Sequence, residues 1–277
     1  KNNLIQTNKK LSLKSKKRLQ KTKSDNTLRA YESDWLDFYD WCNHAKLSPL
    51  PAEPETVINY INDLADNAKA NTVSRRLSAI SENHKAANFF EQNPCRHALV
   101  RNALDSIKRE KGTMQHGKAP ILMEDITELS SYFAIGDITG IRDKALVLIG
   151  FMGAFRRSEL VAINIEDLSF SNDGVIILIS KSKGDQDGRG EYVAIPYASN
   201  HNICAVTALK NWINELPDKS GPLFRPLNKH KQIRNQRLTS QSVALILKKY
   251  VALAGFNPDD FAGHSLRRGF ATSAAQH

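Results

Sequence analysis

Between Ala145 and Phe155 the chain reads ALVLIGFMGAF, without one charged or hydrogen-bonding side chain, and then turns abruptly into Arg156 and Arg157. A run this apolar has to be buried, yet it falls short of the roughly 18 residues that a membrane span needs. It is therefore core of a globular unit, and the spacing predicts one helix over GIRDKALVLIGFMGAF that delivers Arg156 at its buried end. An unpaired guanidinium there costs several kcal/mol, so Arg156 requires an anion. Glu159, three residues on, can meet it on the same helix face as a structural ion pair. The alternative is a phosphate, because arginine's planar fork matches two phosphate oxygens while a carboxylate behind it holds the fork in position. The residues alone leave both open.

Around that run the periodicity divides the chain. At 277 residues it suits one large domain or two ordinary ones. SDNTLRAYESDWLDFYDWCNHA opens with a capping residue, Ser24 or Asp25, and spaces Leu28, Tyr31, Trp35, Phe38, Tyr39 and Cys42 as a helix does. A second helix begins at Pro54 and carries Val57, Ile58, Ile61 and Leu64 on one face. A third places Val73, Leu77 and Ile80 on its apolar side, with Arg75, Arg76, His84 and Lys85 largely on the other. A fourth covers Pro94 to Arg109. EKGTMQHGKAP is polar and aperiodic, as an interdomain linker is. Beyond it come helices at MEDITELSSYF and in the apolar run, then two branched strands, GVIILIS and EYVAIP, around the Gly-rich KSKGDQDGRG. TSQSVALILKKYVALAG is again helical, with Gly255 placed as a C-cap. The expected fold is mostly α with a small β-hairpin, in two domains. Residues 1–23 form a basic tail, 24–110 a helical domain, 111–120 a linker and 121–277 a mixed domain.

Charge is unevenly spread. Residues 1–23 hold eight Lys and Arg18 with no carboxylate, so they supply +9 of the net +10; the remainder, 39 − 9 = 30 basic against 29 acidic, is nearly balanced. From Lys219 to Pro258 there are eight Lys or Arg and no Asp or Glu. A solvated surface explains either region alone, whereas two acid-free regions in one chain favour DNA or RNA as partner. Cys42, Cys95 and Cys204 lie too far apart for a CxxC pair, and KNNLIQTNKK lacks the apolar core of a secretion signal, which fits a reducing, cytoplasmic setting.

Two further clusters carry chemistry. In FAGHSLRRGFATSAA, His264 and Arg267 stand one helical turn apart and can serve one anion, His donating to an oxygen or moving a proton. Lys183 lies in the Gly-rich hairpin loop, where a mobile lysine can reach a leaving group after substrate binds. GxxxxGK, HExxH, GxSxG and His/Cys metal spacings are absent, so neither ATP, a metal nor another cofactor is expected.

In this order and spacing the three clusters resemble the tyrosine recombinase (phage integrase) family. GAFRRSEL is similar to its first arginine motif, with Arg156 at the catalytic position and Glu159 as the following carboxylate. ISKSKGDQDGRGEYVAIP resembles its β-hairpin, with Lys183 matching the catalytic lysine and Lys181 the fallback. GHSLRRGFAT resembles its second box, in which His264 and Arg267 match HxxR and Arg268 is only the neighbour. The likeness extends to SDNTLRAYESDWLDFYDWC, PAEPETVINYI and NTVSRRLSAISENHK, which look like the core-binding domain of Cre-type members.

The resemblance implies a helical core-binding domain and a catalytic domain forming a C-shaped clamp on duplex DNA. Arg156 and Arg267 then hold the scissile phosphate with help from His264, Lys183 protonates the leaving 5′ hydroxyl, and a tyrosine forms a 3′-phosphotyrosyl link, with no cofactor. It also implies a homotetramer in the synaptic complex, a free monomer or dimer, a cytoplasmic, nucleoid-associated setting, and a role in integration, excision or resolution of a mobile element. Family members carry the nucleophile some tens of residues after HxxR, so it is expected beyond His277 and the chain as given is expected to bind but not to cleave. Tyr250, which precedes the box, and His277 are not assigned. A non-catalytic DNA-binding protein of the same fold is the alternative. From helix faces and resemblance, Thr72, Arg75 and Arg76, and separately Thr239, Ser240 and Gln241, are the expected DNA contacts.

Overall fold

The computed structural model describes residues 25–114, 117–133, 136–180 and 190–275. The chain divides into two compact units, residues 1–115 and 116–277.

The first unit is helical: α1 (Asp25–Ala45), α2 (Pro54–Asn67), α3 (Ala70–Ala86) and α4 (Ala98–Lys111). Phe38 and Cys42 of α1, Val57, Tyr60 and Ile61 of α2, Val73, Leu77 and Ile80 of α3, and Val100 and Ile107 of α4 form its core. The helix expected from Pro94 is interrupted at His97. Pro94–Arg96 is a separate 3-10 turn, and His97 is extended, with Nδ1 accepting from the Leu99 N–H at 3.3 Å to cap α4. His84, expected on the polar side of α3, is instead fully buried. Its spacing from Val73, Leu77 and Ile80 is that of the apolar stripe, and both ring nitrogens are used. The Ala52 N–H donates to Nε2 at 3.0 Å, so Nδ1 carries the proton and donates to the Ile80 carbonyl at 2.9 Å. That bond fastens the chain just ahead of α2.

The second unit contains α5 (Met123–Ser130), α6 (Ile138–Met152), α7 (Arg157–Ala162), β1 (Leu168–Phe170), β2 (Gly174–Ile179), β3 (Glu191–Pro196), α8 (Ala205–Glu215), α9 (Ser240–Leu253) and α10 (Ser265–Ala275). Helix α6 is apolar almost all round and buried from Ala145 to Phe151, as a helix enclosed by others must be. The three strands pair antiparallel in the order β1-β2-β3, with Val175 opposite Ile195 and Ile177 opposite Val193. Val175, Ile177, Ile179 and Ile195 face the core, while Ile176 and Tyr192 face outward. Strand β1 adds a partner to the expected hairpin, Ser169 pairing with Ile176. Gly255, at φ +84, closes α9 as expected. No helix among the described residues is long and apolar enough to cross a membrane.

Much of the charge in the Lys219–Pro258 run is spent inside the unit. Arg225, 1% exposed, donates to the Pro222 and Ser220 carbonyls and to Asn235 Oδ1. Lys219 binds the Ile213, Asn214 and Leu216 carbonyls at the C-terminal end of α8, where the helix dipole favours a cation. Lys231 pairs with Asp137, Lys248 with Asp259, and Lys249 lies 3.7 Å from Asp143. The run is thus largely a set of clasps, whose acceptors are carboxylates outside the run, main-chain carbonyls and the Asn235 side chain.

Candidate catalytic site

The expected continuous helix into Arg156 stops at Met152. The Ala154 N–H returns to the Phe151 carbonyl at 2.9 Å and the Phe155 N–H to the Gly150 carbonyl at 3.2 Å. This is a Schellman turn, with Ala154 at φ +48 where glycine is usual. It returns Phe155 to the core, 3% exposed, and leaves Arg156 as the N-cap residue of the next helix, α7. The two arginines then separate. Arg157 runs across Gly263, where a β-carbon would fall 1.9 Å from its Cδ. Arg156 turns to Glu159.

Glu159 makes a bidentate grip on Arg156. Its Oε2 accepts from the Arg156 main-chain N–H at 2.9 Å and its Oε1 from the guanidinium Nη1 at 2.5 Å. The first bond satisfies an orphan donor of α7, and the second holds the fork. Arg267, in the first turn of α10, places Nη1 3.8 Å from Glu159 Oε2 and donates to the Ala154 carbonyl at 3.0 Å. One carboxylate therefore stands between the two arginines. Burial raises its pKa, but the hydrogen bonds from Arg156 and the charges of Arg156 and Arg267 outweigh that and hold it below the ordinary value. The Glu159 side chain is 7% exposed, against 30% for Arg156 and 45% for Arg267, so an ionised anchor lies beneath two accessible cations. The cluster carries a net positive charge, and its exposed donors are arginine N–H groups. With both arginines part-exposed, such a cluster can meet a further anion through guanidinium N–H groups.

His264 is exposed and immediately precedes α10, its carbonyl accepting from the Arg268 N–H at 3.1 Å. Helix α10 is fixed closely on its inner side. The Ile121 N–H donates to the Ser265 carbonyl at 3.1 Å, and Gly269 has no room for a β-carbon, which would lie 1.5 Å from the Ile121 carbonyl oxygen. Arg268 donates to the Lys118 carbonyl at 2.8 Å. Lys183, with Lys181, falls in residues 181–189, outside the described residues, as does His277. The structure thus brings Arg156, Glu159 and Arg267 together and puts His264 on the turn next to Arg267.

Tyr250 is 2% exposed and donates to Asp143 Oδ2 at 3.0 Å; burial, then the Asp143 charge and hydrogen bond, push its phenol well up. It is a buried tie between α9 and α6.

Among the other expected contacts, Thr239 caps α9, its Oγ1 accepting from the Ser242 N–H at 3.1 Å. Gln241 is exposed and Ser240 half-buried. In the first unit, Thr72 is half-buried, while Arg75 and Arg76 pair with Asp34 and Asp37 of α1. Sequence reasoning missed the Ala154 carbonyl and Arg237. The latter donates to the Val161 carbonyl at 2.5 Å and to Asn164 Oδ1 at 2.6 Å, clasping the end of α7. Gly153, placed as a helix terminator, was the signal for the turn; nothing local announces the Arg237 clasp.

Residues 121–277, more than half of the chain, match the phage integrase family, and residues 16–88 match the phage integrase N-terminal SAM-like domain. An integrase/recombinase xerD homolog of Selenomonas ruminantium is 59% identical over 278 residues, spanning 100% of this chain and 82% of that protein. A Tn1549 transposon integrase solved with transposon right end DNA superposes with a TM-score of 0.63 at 15% identity, over 94% of this chain and 84% of that one. The XerH site-specific recombinase, solved on its difH substrate, gives 0.52 at 16% identity, over 81% of this chain and 59% of that one. At such identities these structures speak to the fold alone, a mostly helical two-domain architecture with a small antiparallel sheet. Together with the close relative, the domain matches establish that the chain belongs to the phage integrase family.

Proposed function

We propose that this chain is a site-specific DNA recombinase that cuts and rejoins duplex DNA through a 3′-phosphotyrosyl intermediate, in the integration, excision or resolution of a mobile element. The observation that carries this reading is Glu159 holding Arg156 and Arg267 as two accessible cations on one buried carboxylate. The names of the relatives, a recombinase homologue and a site-specific recombinase, point the same way.

In this reading a phosphodiester of the target site occupies the two guanidiniums, which offset the charge that builds on its non-bridging oxygens as phosphorus becomes five-coordinate. A tyrosine oxygen, its proton lost to solvent, forms the new bond to phosphorus, the bond to the 5′ oxygen breaks, and Lys183 gives that oxygen a proton. His264 assists at a phosphate oxygen. Reversal with a different 5′ hydroxyl rejoins the strands, and the phosphotyrosyl ester conserves the bond. Tyr250, buried and bonded to Asp143, does not supply the attacking oxygen. The partners are a duplex recombination site and further copies of the chain, four in the synaptic complex.

The test is covalent trapping by the full-length protein on a duplex nicked near its cleavage site. The expected result is a denaturation-resistant adduct with wild type, and DNA binding without adduct for Arg156→Ala and Arg267→Ala. Wild-type adduct formation by Arg156→Ala sinks the assignment. Sequence-selective binding with no adduct from any form favours the non-catalytic DNA-binding alternative.

A further inference from the structure

On α1 the buried stripe that carries Phe38 and Cys42 continues one turn back to Asp34, whose side chain is 4% exposed. A carboxylate at a core position costs several kcal/mol unless it is paired, and an apolar residue of similar size serves packing at least as well. Its partners are on α3. Arg75 Nη1 hydrogen-bonds Asp34 Oδ2, and Arg76 Nε lies 3.7 Å from Asp34 Oδ1. Arg76 is further occupied by Asp37 and, at 2.8 Å, by the Tyr60 hydroxyl, and is 19% exposed.

Arg75 differs. Its side chain is 44% exposed, and among the described residues Nη1 is its one bonded nitrogen. That leaves Nε and Nη2, the edge of the guanidinium whose parallel N–H groups match two oxygens of a phosphate. Arg156 on Glu159 shows the same arrangement: a buried carboxylate grips one nitrogen of a part-exposed arginine.

We infer that Asp34 is a positioning residue that holds the Arg75 fork outward for a phosphodiester of the DNA backbone. The inference rests on the reading of the chain as a DNA-binding recombinase and extends it to the first unit. Asp34 and Asp37 cancel the charges of Arg75 and Arg76, so the patch offers geometry rather than net attraction. This makes the sign of the test informative. Removing the Asp34 charge makes the chain more positive, and long-range electrostatics alone then tighten binding.

The experiment is fluorescence anisotropy of a labelled mixed-sequence duplex with the full-length protein, over a salt series, for wild type, Asp34→Asn, Arg75→Lys and the double variant. The expected result is that Asp34→Asn weakens binding about fivefold despite the added positive charge, that Arg75→Lys weakens it similarly, and that the double variant is no weaker than either. Thermal unfolding of each variant identifies loss through unfolding. Arg75→Lys keeps the charge at an exposed site, so it carries the test if Asp34→Asn fails to fold. Unchanged or tighter binding by Asp34→Asn, wild-type binding by Arg75→Lys, or additive losses overturn the inference. A wild-type protein that fails to bind duplex DNA overturns the functional reading itself.

Discussion

Arg267 donates from Nη1 to the main-chain carbonyl of Ala154, 3.0 Å away, joining α10 to the turn that introduces Arg156. The bond links the two arginine motifs although they lie more than a hundred residues apart in sequence. It depends on the Schellman turn, because a helix continued through Ala154 offers that carbonyl to its own fourth neighbour. The left-handed Ala154 is therefore part of the site's construction.

Glu159→Gln keeps the size of the anchor and removes its charge. The expected outcome in the full-length protein is a loss of cleavage of about 10²-fold, because the Arg156 fork loses its charge-assisted grip, with DNA affinity retained or raised. Adduct formation and anisotropy on the same duplex read the two effects separately. The pH sign follows from the depressed pKa. Glu159 contributes stability that is complete above its ordinary value of 4.5 and is lost as pH falls through the lower folded value. Acid unfolding of the second unit should lose this component in Glu159→Gln.

Tyr250→Phe separates a structural tyrosine from a reacting one. The substitution removes one of the hydrogen bonds on buried Asp143, which keeps those from Arg142 Nε and Nη2 at 2.9 and 2.6 Å. Stability is expected to fall by about 1–2 kcal/mol, with adduct formation per folded molecule unchanged. Denaturant unfolding and trapping on nicked DNA check both halves, and loss of the adduct with full stability contradicts the structural role.

What the sequence disclosed follows from the range of the forces involved. The helices α1, α2 and α3, the strand pair and the Gly255 cap are local patterns that form where their spacing predicts, although Tyr39 of the α1 stripe is exposed and His84 of α3 is buried. Strand β1, only Leu168–Phe170, is too short to show alternation and exists through its pairing with β2. The arginine and HxxR motifs were visible as residues and Gly153 signalled the turn, but the Arg267–Ala154 bond also depends on a packing contact between distant segments that no local pattern encodes. The clasps within the Lys219–Pro258 run were hidden for the same reason, since the partners of Arg225, Lys219 and Arg237 are mainly carbonyls, which carry no sequence signature. Asp34 went unread because an acid inside an apolar stripe looks like an ordinary break in the pattern.

His84 gives the first unit a pH response. Burial lowers its pKa, an effect the hydrogen bond to Ile80 only partly offsets. The unfolded chain takes up a proton near the ordinary value of 6.5 while the folded unit does not, so stability is full above that value. It declines as pH falls toward the lower folded value and levels off below it. His84→Ala leaves the buried Ala52 N–H without its acceptor and is expected to cost about 2–3 kcal/mol at neutral pH. Denaturant midpoints measured from neutral to mildly acid pH should fall for wild type and stay flatter for the variant.

Gly269→Ala sets helix propensity against packing. In a solvent-facing helix interior the change stabilises by about 1 kcal/mol. At Gly269 the new methyl meets the Ile121 carbonyl oxygen at 1.5 Å, and that segment is tied to α10 by the bond from the Ile121 N–H to the Ser265 carbonyl. Either the backbone around Ile121 or α10 itself has to shift, and the expected net cost is about 1–3 kcal/mol. Because α10 carries Arg267, with His264 on the turn before it, adduct formation should fall further than stability explains. A variant as stable and as active as wild type would show that the segment at Ile121 moves aside freely.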